Sequence, residues 1–534
     1  MTVFSFLCAA FVSAAGLLGS VLPLQMLQQN SYVNSRYADW LSERFSFKNI
    51  CFKLLFALLF AAATLVNVKT ERAVSTAAGI LLSLLCLGAA VKAFLGSKSV
   101  QKKSIKPLVF TMRVKRMMIT HGAVSAVFFG LCFVKNIGLY MSFVCCLLFL
   151  CRELVVALVN IINRPIERAV SNHYINDAKK ILGSIPNLLT VGVTGSYGKT
   201  TSKFILARIL SEKYTVTVTP ESFNTPMGIV RTVREKMTPG TEIFIAEMGA
   251  KNVGDIKEIC DIVHPDMGLI TSVGPQHLNT FGSIENIINT KFELADAVSQ
   301  KNGKMFLNGD NEYIKERAKA YNNTCLYGTD GGLDVYAENV VCSSSGSSFD
   351  IVFPDRRIPV STRLLGSHNV QNITGAAALA SELCVEDSDI RFAVSSLKPT
   401  PHRLEMKSFI NGAVLIDDAY NSNPSGCLEA VRVLSHFDGM KKIIVTPGLV
   451  ELGEKEYECN FALGDAAGKV CDEIYLVGKM RSKPMTDALE KQGFDKNRVF
   501  VVSSFKEAMA KLAPTLDKNC AVLLENDLPD NYLK

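Results

Sequence analysis

Residues 191–201 have the residue types and the spacing of a phosphate-binding loop, Val-Gly-Val-Thr-Gly-Ser-Tyr-Gly-Lys-Thr-Thr. Gly195 and Gly198 would let backbone N–H groups close on phosphate oxygens, and a helix that begins here would add the positive end of its dipole. Lys199 could reach the β- and γ-phosphates, and the hydroxyl of Thr200 could bind Mg²⁺. The sequence therefore predicts a nucleotide site at this loop.

The surroundings of the loop support this interpretation. An apolar run of strand length, 188–193, precedes it, and a segment with apolar residues on one side, 204–210, follows it. Strand, loop and helix in this order are what a phosphate loop needs. Val193 stands where the strict eight-residue motif has its first glycine, so an ordinary turn between a strand and a helix is the alternative. The flanking segments favour the phosphate loop.

Two further candidates follow other apolar runs of strand length. Glu247 ends the run 242–246, and its carboxylate could hold Mg²⁺ opposite the loop. His277 follows the run 267–271 and could be a second metal ligand; the alternative is a histidine that only hydrogen-bonds within a loop.

Three polar residues come later in the same part of the chain. Lys291 lies on a helix-like segment, where a lysine is usually part of a solvated face. Asn308 and Asp310 follow the run 304–307 and could contact a ribose or a base.

From about residue 185, apolar runs alternate with helix-like segments, which is typical of α/β domains with mostly parallel sheet. The predicted strands are 188–193, 242–246, 267–271, 304–307, 413–416, 442–446, 474–477, 498–502 and 520–524. Two prolines in the stretch 398–403 predict a hinge. We therefore expect a central domain over 185–400 and a C-terminal domain over 402–534.

The first 165 residues hold most of the apolar excess. Runs near 3–27, 50–68, 73–96, 117–134 and 138–158 approach the ~20 residues that cross a bilayer, and they predict a membrane domain of about five transmembrane helices. The segment 97–116 is rich in Lys and Arg and has no acidic residue, which predicts a cytoplasmic loop. The expected location is therefore the cytoplasmic membrane, multi-pass, with the catalytic domains in the cytoplasm.

Charge and cysteine content argue against two kinds of site, a nucleic-acid-binding surface and a zinc ribbon. The net charge is +7, and the basic segment 97–116 could be a nucleic-acid patch, but its place between two predicted spans favours a role in topology, so no nucleic-acid partner is expected. The fifteen cysteines form no C-x-x-C pair, which argues against a zinc ribbon.

Seven motifs occur in one order: GSYGKTT, EMG, GPQHLNTFGS, NTKFE, LNGDN, GSHNVQN and IDDAYNSNP. Together they resemble the Mur ligase family, the ATP-dependent amino-acid-adding enzymes of peptidoglycan synthesis, over about residues 185–475. Within the family, the resemblance is greatest to members that add D-alanyl-D-alanine. With the α/β pattern, it implies a P-loop central ATPase domain and a Rossmann-like C-terminal domain behind the membrane domain.

The resemblance also implies roles for residues of this sequence. Lys199, Glu247, His277, Lys291 and Arg403 would be catalytic, with Lys291 carbamylated and Arg403 reaching the phosphates from the hinge. Thr200, Glu247 and His277 would bind Mg²⁺. ATP would be bound by Gly195, Ser196, Gly198, Lys199, Thr200, Thr201, Asn308, Asp310, His368, Asn369, Asn372, Asp418, Tyr420 and Asn421, beside Asp417, Asn423 and Pro424 of the same motif.

Two departures lie on the substrate side. Asn460 stands where the family usually has histidine, and Glu525-Asn526-Asp527 occupies the region of a Lys-Gly-Ser-Arg motif. The resemblance also implies an N-terminal domain that binds the UDP of the substrate, and in this sequence the predicted membrane region stands in its place.

The expected function is a membrane-anchored ligase that activates a peptidoglycan-precursor carboxylate as an acyl phosphate and joins it to an amino acid or dipeptide. A UDP-linked or lipid-linked precursor, another poly-amino-acid substrate, and a P-loop ATPase that drives transport are the alternatives.

Overall fold

The computed structural model describes residues 18–44, 107–131, 150–220, 223–276, 278–419, 423–450, 452–478 and 481–527, with isolated residues at 16 and between 55 and 95. The chain divides into two compact units, residues 1–172 and 173–534. Each unit is described by itself.

The described part of the first unit is helical. Its helices are α1 (Val21–Gln29), α2 (Asn34–Arg44), α3 (Met112–Leu131) and α4 (Arg152–Ser184), the last of which continues beyond residue 172. Leu27, Tyr37, Met117 and Val156 are buried together in one apolar cluster. Polar groups also join the helices, since the guanidinium of Arg116 donates two hydrogen bonds of 2.7 Å to the carboxylate of Glu167.

The predicted membrane spans are not found among the described residues. Among the described residues, no helix is both long and apolar enough to cross a bilayer. Helix α1 (Val21–Gln29) has nine residues, and Arg116 of α3 forms an ion pair with Glu167 of α4. The spans predicted at 50–68 and 73–96 lie almost entirely outside the described residues. The predicted fold class, a multi-helical membrane domain followed by mostly parallel α/β domains, is wrong, and so is the predicted location in the cytoplasmic membrane.

The second unit begins with a nine-stranded sheet. Its strands are β1 (Leu189–Thr194), β2 (Val216–Val218), β3 (Ile243–Glu247), β4 (Met267–Ile270), β5 (Lys304–Asn308), β6 (Thr324–Gly328), β7 (Val335–Ser343), β8 (Gly346–Val352) and β9 (Arg357–Thr362). The order is β2-β3-β1-β4-β5-β6-β7-β8-β9. Pairing is parallel as far as β7, and β8 pairs antiparallel with both β7 and β9, so the sheet is mixed.

Helices cover this sheet because its central strands are apolar on both faces. They are α5 (Lys199–Leu210), α6 (Pro226–Lys236), α7 (Asp255–Val263), α8 (Leu278–Phe281), α9 (Ile284–Ser299), α10 (Glu312–Ala318), α11 (Ser367–Glu382) and α12 (Asp387–Ser395). One apolar cluster joins Val191 and Val193 to α5 and α11, and another joins Phe244 to α7 and α9. Such burial on both faces is what a parallel sheet requires.

A six-stranded sheet follows in the same unit. Its strands are β10 (Glu405–Ser408), β11 (Val414–Asp418), β12 (Lys441–Thr446), β13 (Glu473–Val477), β14 (Val499–Val502) and β15 (Cys520–Glu525), in the order β10-β11-β15-β12-β13-β14. Only the pairing of β10 with β11 is antiparallel among the described pairs, so this sheet is also mixed. Helices α13 (Pro424–Ser435), α14 (Glu456–Val470), α15 (Lys483–Gln492) and α16 (Phe505–Leu512) pack on it.

The apolar runs of the sequence mark the buried strands well. Each strand predicted from a run coincides with an observed strand to within two residues. The sequence did not predict β2, β6, the antiparallel strands β7–β9 or β10. Strand β10 alternates between half-buried and exposed residues, so it has no continuous apolar run.

Asn460 on α14 fixes the loop that follows β12. Its side chain is buried, and its Oδ1 accepts a hydrogen bond of 2.8 Å from the backbone N–H of Leu449. Its Nδ2 donates to the carbonyl oxygens of Leu449 and Glu456 at 3.0 and 2.8 Å. The amide therefore joins this loop to the start of α14.

We expect Asn460→Leu to lower the free energy of unfolding by about 2–4 kcal/mol, because an N–H and two carbonyl groups would lose a buried partner. The thermal midpoint and hydrogen exchange of the Leu449 amide measure this. Asn497→Ala, at an exposed asparagine, is the control, and its expected change is under about 0.5 kcal/mol. Unchanged exchange at Leu449 in Asn460→Leu would show that the clamp is absent.

Candidate functional site

Strand register brings the predicted site residues to one edge of the large sheet. Val193 pairs with Glu247 across β1 and β3, and Thr194 pairs with Ile270 across β1 and β4. Since these strands are parallel, their carboxyl ends meet at the same edge, where ligands bind in open α/β sheets. The loops after β1, β3, β4 and β5 therefore converge.

The loop after β1 has a backbone that only glycine adopts without strain. Gly195 has φ +152° and Gly198 has φ +79°. A Cβ on Gly195 would lie 2.2 Å from Oγ1 of Thr271, and a Cβ on Gly198 would lie 2.9 Å from Oδ1 of Asn372. Neighbouring polar side chains thus close on the loop, and the free space beside it remains for a ligand.

Lys199 begins α5 and folds back over this loop. Its Nζ donates hydrogen bonds of 2.7 and 2.9 Å to the carbonyl oxygens of Gly195 and Ser196. Burial lowers the pKa of Lys199 to about 8, although Glu247 opposes this shift. The ammonium is therefore poorly solvated, and phosphate oxygens would be better partners for it than carbonyl groups.

Glu247, fully buried at the end of β3, lies directly opposite the start of α5. Its Oε1 accepts hydrogen bonds from Thr200 Oγ1 at 3.1 Å and from Asn224 Nδ2 at 3.0 Å. Its Oε2 accepts from Lys203 Nζ at 2.9 Å. Burial would raise the pKa of Glu247, but Lys203 and Lys199 lower it, so the carboxylate is charged.

Lys291 is buried on α9. Burial lowers its pKa well below the ordinary value, and the charge of Lys199 adds to this. Within the described part of the chain, Lys291 makes no salt bridge. A lysine in this setting is a neutral amine at lower pH than a solvated one.

The start of α11 contacts α13, a helix of the six-stranded sheet, near the loop that follows β1. The N–H and the Oγ of Ser367 both donate to Oε1 of Glu429 on α13, at 2.6 and 2.7 Å. A carboxylate at a helix N-terminus is favoured by the helix dipole. Next to this contact, the buried Nδ1 of His368 has no hydrogen-bond partner among the described residues, and burial lowers the pKa of His368.

Asn308 and Asp310, after β5, are held in different ways. Asn308 Nδ2 donates to the carbonyl oxygen of Thr271 at 2.7 Å. The carboxylate of Asp310 accepts from the N–H of Thr329 at 2.8 Å and from Gln371 Nε2 at 2.7 Å. Both residues are therefore fixed at the edge of the sheet.

Two adjacent aspartates at the end of β11, Asp417 and Asp418, have different surroundings. Asp418 reaches the cleft and accepts a hydrogen bond of 3.1 Å from the N–H of Leu404. Asp417 points elsewhere, and its Oδ2 lies 2.8 Å from both His402 Nδ1 and Lys407 Nζ. Burial would raise the pKa of Asp417, but these hydrogen bonds lower it. Asn423 caps α13 through the N–H of Gly426 at 2.9 Å.

A cavity of about 590 Å³ lies between the two sheets of this unit. The predicted residues that line it are Ser196, Gly198, Lys199, Thr200, Thr201, Glu247, Asn308, Asp310, His368, Asn369, Asn372, Arg403, Asp418 and Asn423. Gly195, Lys291 and Asp417 do not line it. His277, Tyr420 and Asn421 lie outside the described residues, so the predicted histidine ligand has no structural account.

Sequence reasoning missed several residues of this site. Asn224, Ser367, Gln371 and Glu429 all line the cavity, and none follows a predicted strand or lies in a phosphate-loop pattern. Sequence reasoning also missed Lys203, although its spacing from Lys199 could have identified it. It lies four residues after Lys199 on α5, so the two side chains lie on the same side of the helix.

These residues fit a nucleoside triphosphate and a divalent cation. Residues 196–201 of the glycine loop line the cavity, and the buried Nδ1 of His368 has no hydrogen-bond partner among the described residues. A hydroxyl and a carboxylate, Thr200 and Glu247, lie side by side and are the oxygen donors that Mg²⁺ prefers. Among the described residues, no group of three or more His, Cys, Asp or Glu forms a metal cluster.

Family comparison identifies the two parts of the second unit. The family model for the Mur ligase middle domain matches residues 193–380. The model for the Mur ligase glutamate ligase domain matches residues 402–525.

Individual relatives agree with these matches. The UDP-N-acetylmuramoyl-tripeptide–D-alanyl-D-alanine ligase of Bacillus subtilis is 30% identical over 342 residues, which cover 63% of this chain and 72% of that protein. The enzyme of the same name from Escherichia coli is 26% identical over 330 residues, with coverages of 60% and 72%. The crystal structure of MurF ligase from Thermotoga maritima in complex with ADP superimposes with a TM-score of 0.59 at 27% identity, covering 67% of this chain and 80% of that one. The chain therefore belongs to the Mur ligase family, whose members are ATP-dependent ligases that form C–N bonds.

Proposed function

We propose that this ligase joins D-alanyl-D-alanine to a UDP-N-acetylmuramoyl tripeptide in peptidoglycan precursor synthesis. The observation that carries the proposal is the cavity itself, where the phosphate loop and Glu247 face Asp418 and Asn423 of the other sheet. The names of the Bacillus and Escherichia relatives support the choice of substrates. The lipid-linked precursor and the membrane partner predicted from the sequence have no support among these relatives.

ATP binds, in this proposal, with its phosphates on the loop between Gly195 and Thr201. Lys199 holds the β- and γ-phosphates, and the start of α11 with His368 and Asn369 contacts the nucleoside. Thr200 and Glu247 would hold Mg²⁺. When bound, Mg²⁺ neutralises the charge that develops during phosphoryl transfer.

The chemistry follows from the weakness of a carboxylate as an acyl donor. A carboxylate oxygen of the acid attacks the γ-phosphorus of ATP, ADP leaves, and an acyl phosphate forms. The amine of the dipeptide then attacks the acyl carbon, the C–O bond to phosphate breaks, and the amine loses a proton as the amide forms. Acyl phosphates hydrolyse readily, so the contact of Ser367 with Glu429, which joins the two sheets across the cleft, would help to exclude water.

Phosphate release by the full-length protein with MgATP tests the proposal. We expect turnover only when the UDP-linked tripeptide and D-alanyl-D-alanine are both present, because neither half-reaction completes without its acceptor. Omission of each substrate in turn, and replacement of the dipeptide by D-alanine, are the controls. Steady hydrolysis of ATP that needs neither acid nor amine would contradict the ligase, and equal turnover with D-alanine would contradict the dipeptide.

Lys199→Met is expected to lower kcat/KM by roughly 10³-fold, because the developing charge on the phosphates would lose a cation. The initial rate of phosphate release measures this. Lys511→Met, at a half-exposed lysine outside the cavity, is the matched control and should leave the rate unchanged. A loss of less than tenfold in Lys199→Met would show that this loop does not serve phosphoryl transfer.

We expect Lys291 to carry a carbamate and the rate to fall at low pH. Only the neutral amine reacts with CO₂, so as the pH drops through the lowered pKa of Lys291, the amine takes a proton and carbamylation is lost. A ¹³C NMR carbamate signal after incubation with labelled bicarbonate measures this. Lys291→Ala should lose the signal and the activity, with partial recovery of activity by short carboxylates.

Lys301→Ala, which removes a lysine outside the cavity, should keep both the carbamate signal and the activity. If the carbamate signal persists in Lys291→Ala, the modified lysine is another one. If the rate in the native sequence is independent of bicarbonate and of pH below neutrality, Lys291 has no such role.

A further inference from the structure

Lys203 lies behind the carboxylate that faces the cavity. Its side chain is fully buried, and its Nζ donates to Glu247 Oε2 at 2.9 Å. The cavity is lined by Thr200 and Glu247 but not by Lys203. The lysine therefore cannot touch a ligand in the cavity directly.

The two oxygens of Glu247 have different partners. Oε2 is bound by Lys203, whereas Oε1 is shared by Thr200 and Asn224 at the cavity wall. The backbone N–H of Glu247 donates to Thr219 Oγ1 at 3.1 Å, which fixes the strand end. Because one oxygen is tied inward, the other must point to the hydroxyl of Thr200.

Helix geometry links this arrangement to the phosphate loop. Thr200 and Lys203 are three residues apart on α5, so their side chains lie on the same face of the helix. One turn of helix thus carries the hydroxyl that flanks Oε1 and the cation that binds Oε2. A rotation of the carboxylate would break both contacts.

We propose that Lys203 is a positioning residue that orients Glu247 to bind the divalent cation together with Thr200. This inference rests on the proposed function, which places Mg²⁺ at these two residues. Groups that hold a metal ligand in place typically change metal affinity by roughly 10–100-fold when they are removed. A buried ion pair that only stabilised the fold would not change metal affinity in this way.

Mn²⁺ binding by electron paramagnetic resonance, with ADP present, tests the role of Lys203. In Lys203→Met we expect Mn²⁺ affinity to fall by roughly 10–100-fold. ADP affinity in EDTA should stay unchanged. In the ligase assay, the Mg²⁺ concentration for half-maximal rate should rise by a similar factor, while kcat at saturating Mg²⁺ changes much less. Lys441→Met is the control, because it breaks the 2.6 Å ion pair with Glu473 outside the cavity.

A lower thermal midpoint with unchanged Mn²⁺ affinity in Lys203→Met would overturn the proposal, since the ion pair would then be structural only. If Lys203→Met does not fold, Lys203→Arg replaces it. The arginine keeps the cation but changes its shape, so Mn²⁺ affinity should fall by roughly 3–10-fold, less than the roughly 10–100-fold expected when the cation is removed. An unchanged affinity again overturns the proposal. Failure of the native sequence to bind Mn²⁺ with nucleotide would instead overturn the magnesium site, and this inference with it.

Discussion

The buried carboxylate of Glu247 is the constraint on which the site depends. An ionised carboxylate without contact to water is stable only when cations and hydrogen-bond donors surround it. Lys203 supplies the cation at 2.9 Å, and Thr200 and Asn224 supply the donors. Lys203 and Thr200 both lie on α5. If this helix shifted along β1, the carboxylate of Glu247 would lose both partners and would remain buried without compensation. The position of the phosphate loop follows from this fit.

The topology of the nine-stranded sheet places the loops around Glu247 at one edge, where they form a cleft. Parallel strands end at one edge, so the loops after β1, β3, β4 and β5 reach the same space without any long connection. The second sheet covers that edge through Glu429, which caps the helix that begins at Ser367. The carboxylate of Glu429, on the side of the six-stranded sheet, thus interacts favourably with the N-terminal dipole of α11, which packs on the nine-stranded sheet. The same contact also fixes the start of α11, next to His368.

Much of this arrangement was predictable where the signal is local. The phosphate loop and the buried strands follow from glycine spacing and apolar runs, and they place Lys199, Thr200 and Glu247 together. Contacts between distant segments, such as Ser367 with Glu429, leave no local pattern. The membrane prediction failed because hydropathy weighs an apolar run by itself. The helix observed there, α3, begins at Met112, five residues before the predicted span, and so includes Arg113, Lys115 and Arg116.

The carboxyl end of β11 obeys a different constraint. Asp418 and Glu525 are register partners on β11 and β15, and a hydrogen bond joins their side chains. Burial raises the pKa of Asp418, and two carboxyl groups can share a hydrogen bond only if one holds a proton. Glu247 and the phosphate loop belong to the other sheet, and their contacts do not involve this pair. Asp418 itself lines the cavity and interacts electrostatically with His368 and Arg403. The state of this carboxyl pair therefore affects the charge at the start of α11, although the two groups belong to different sheets.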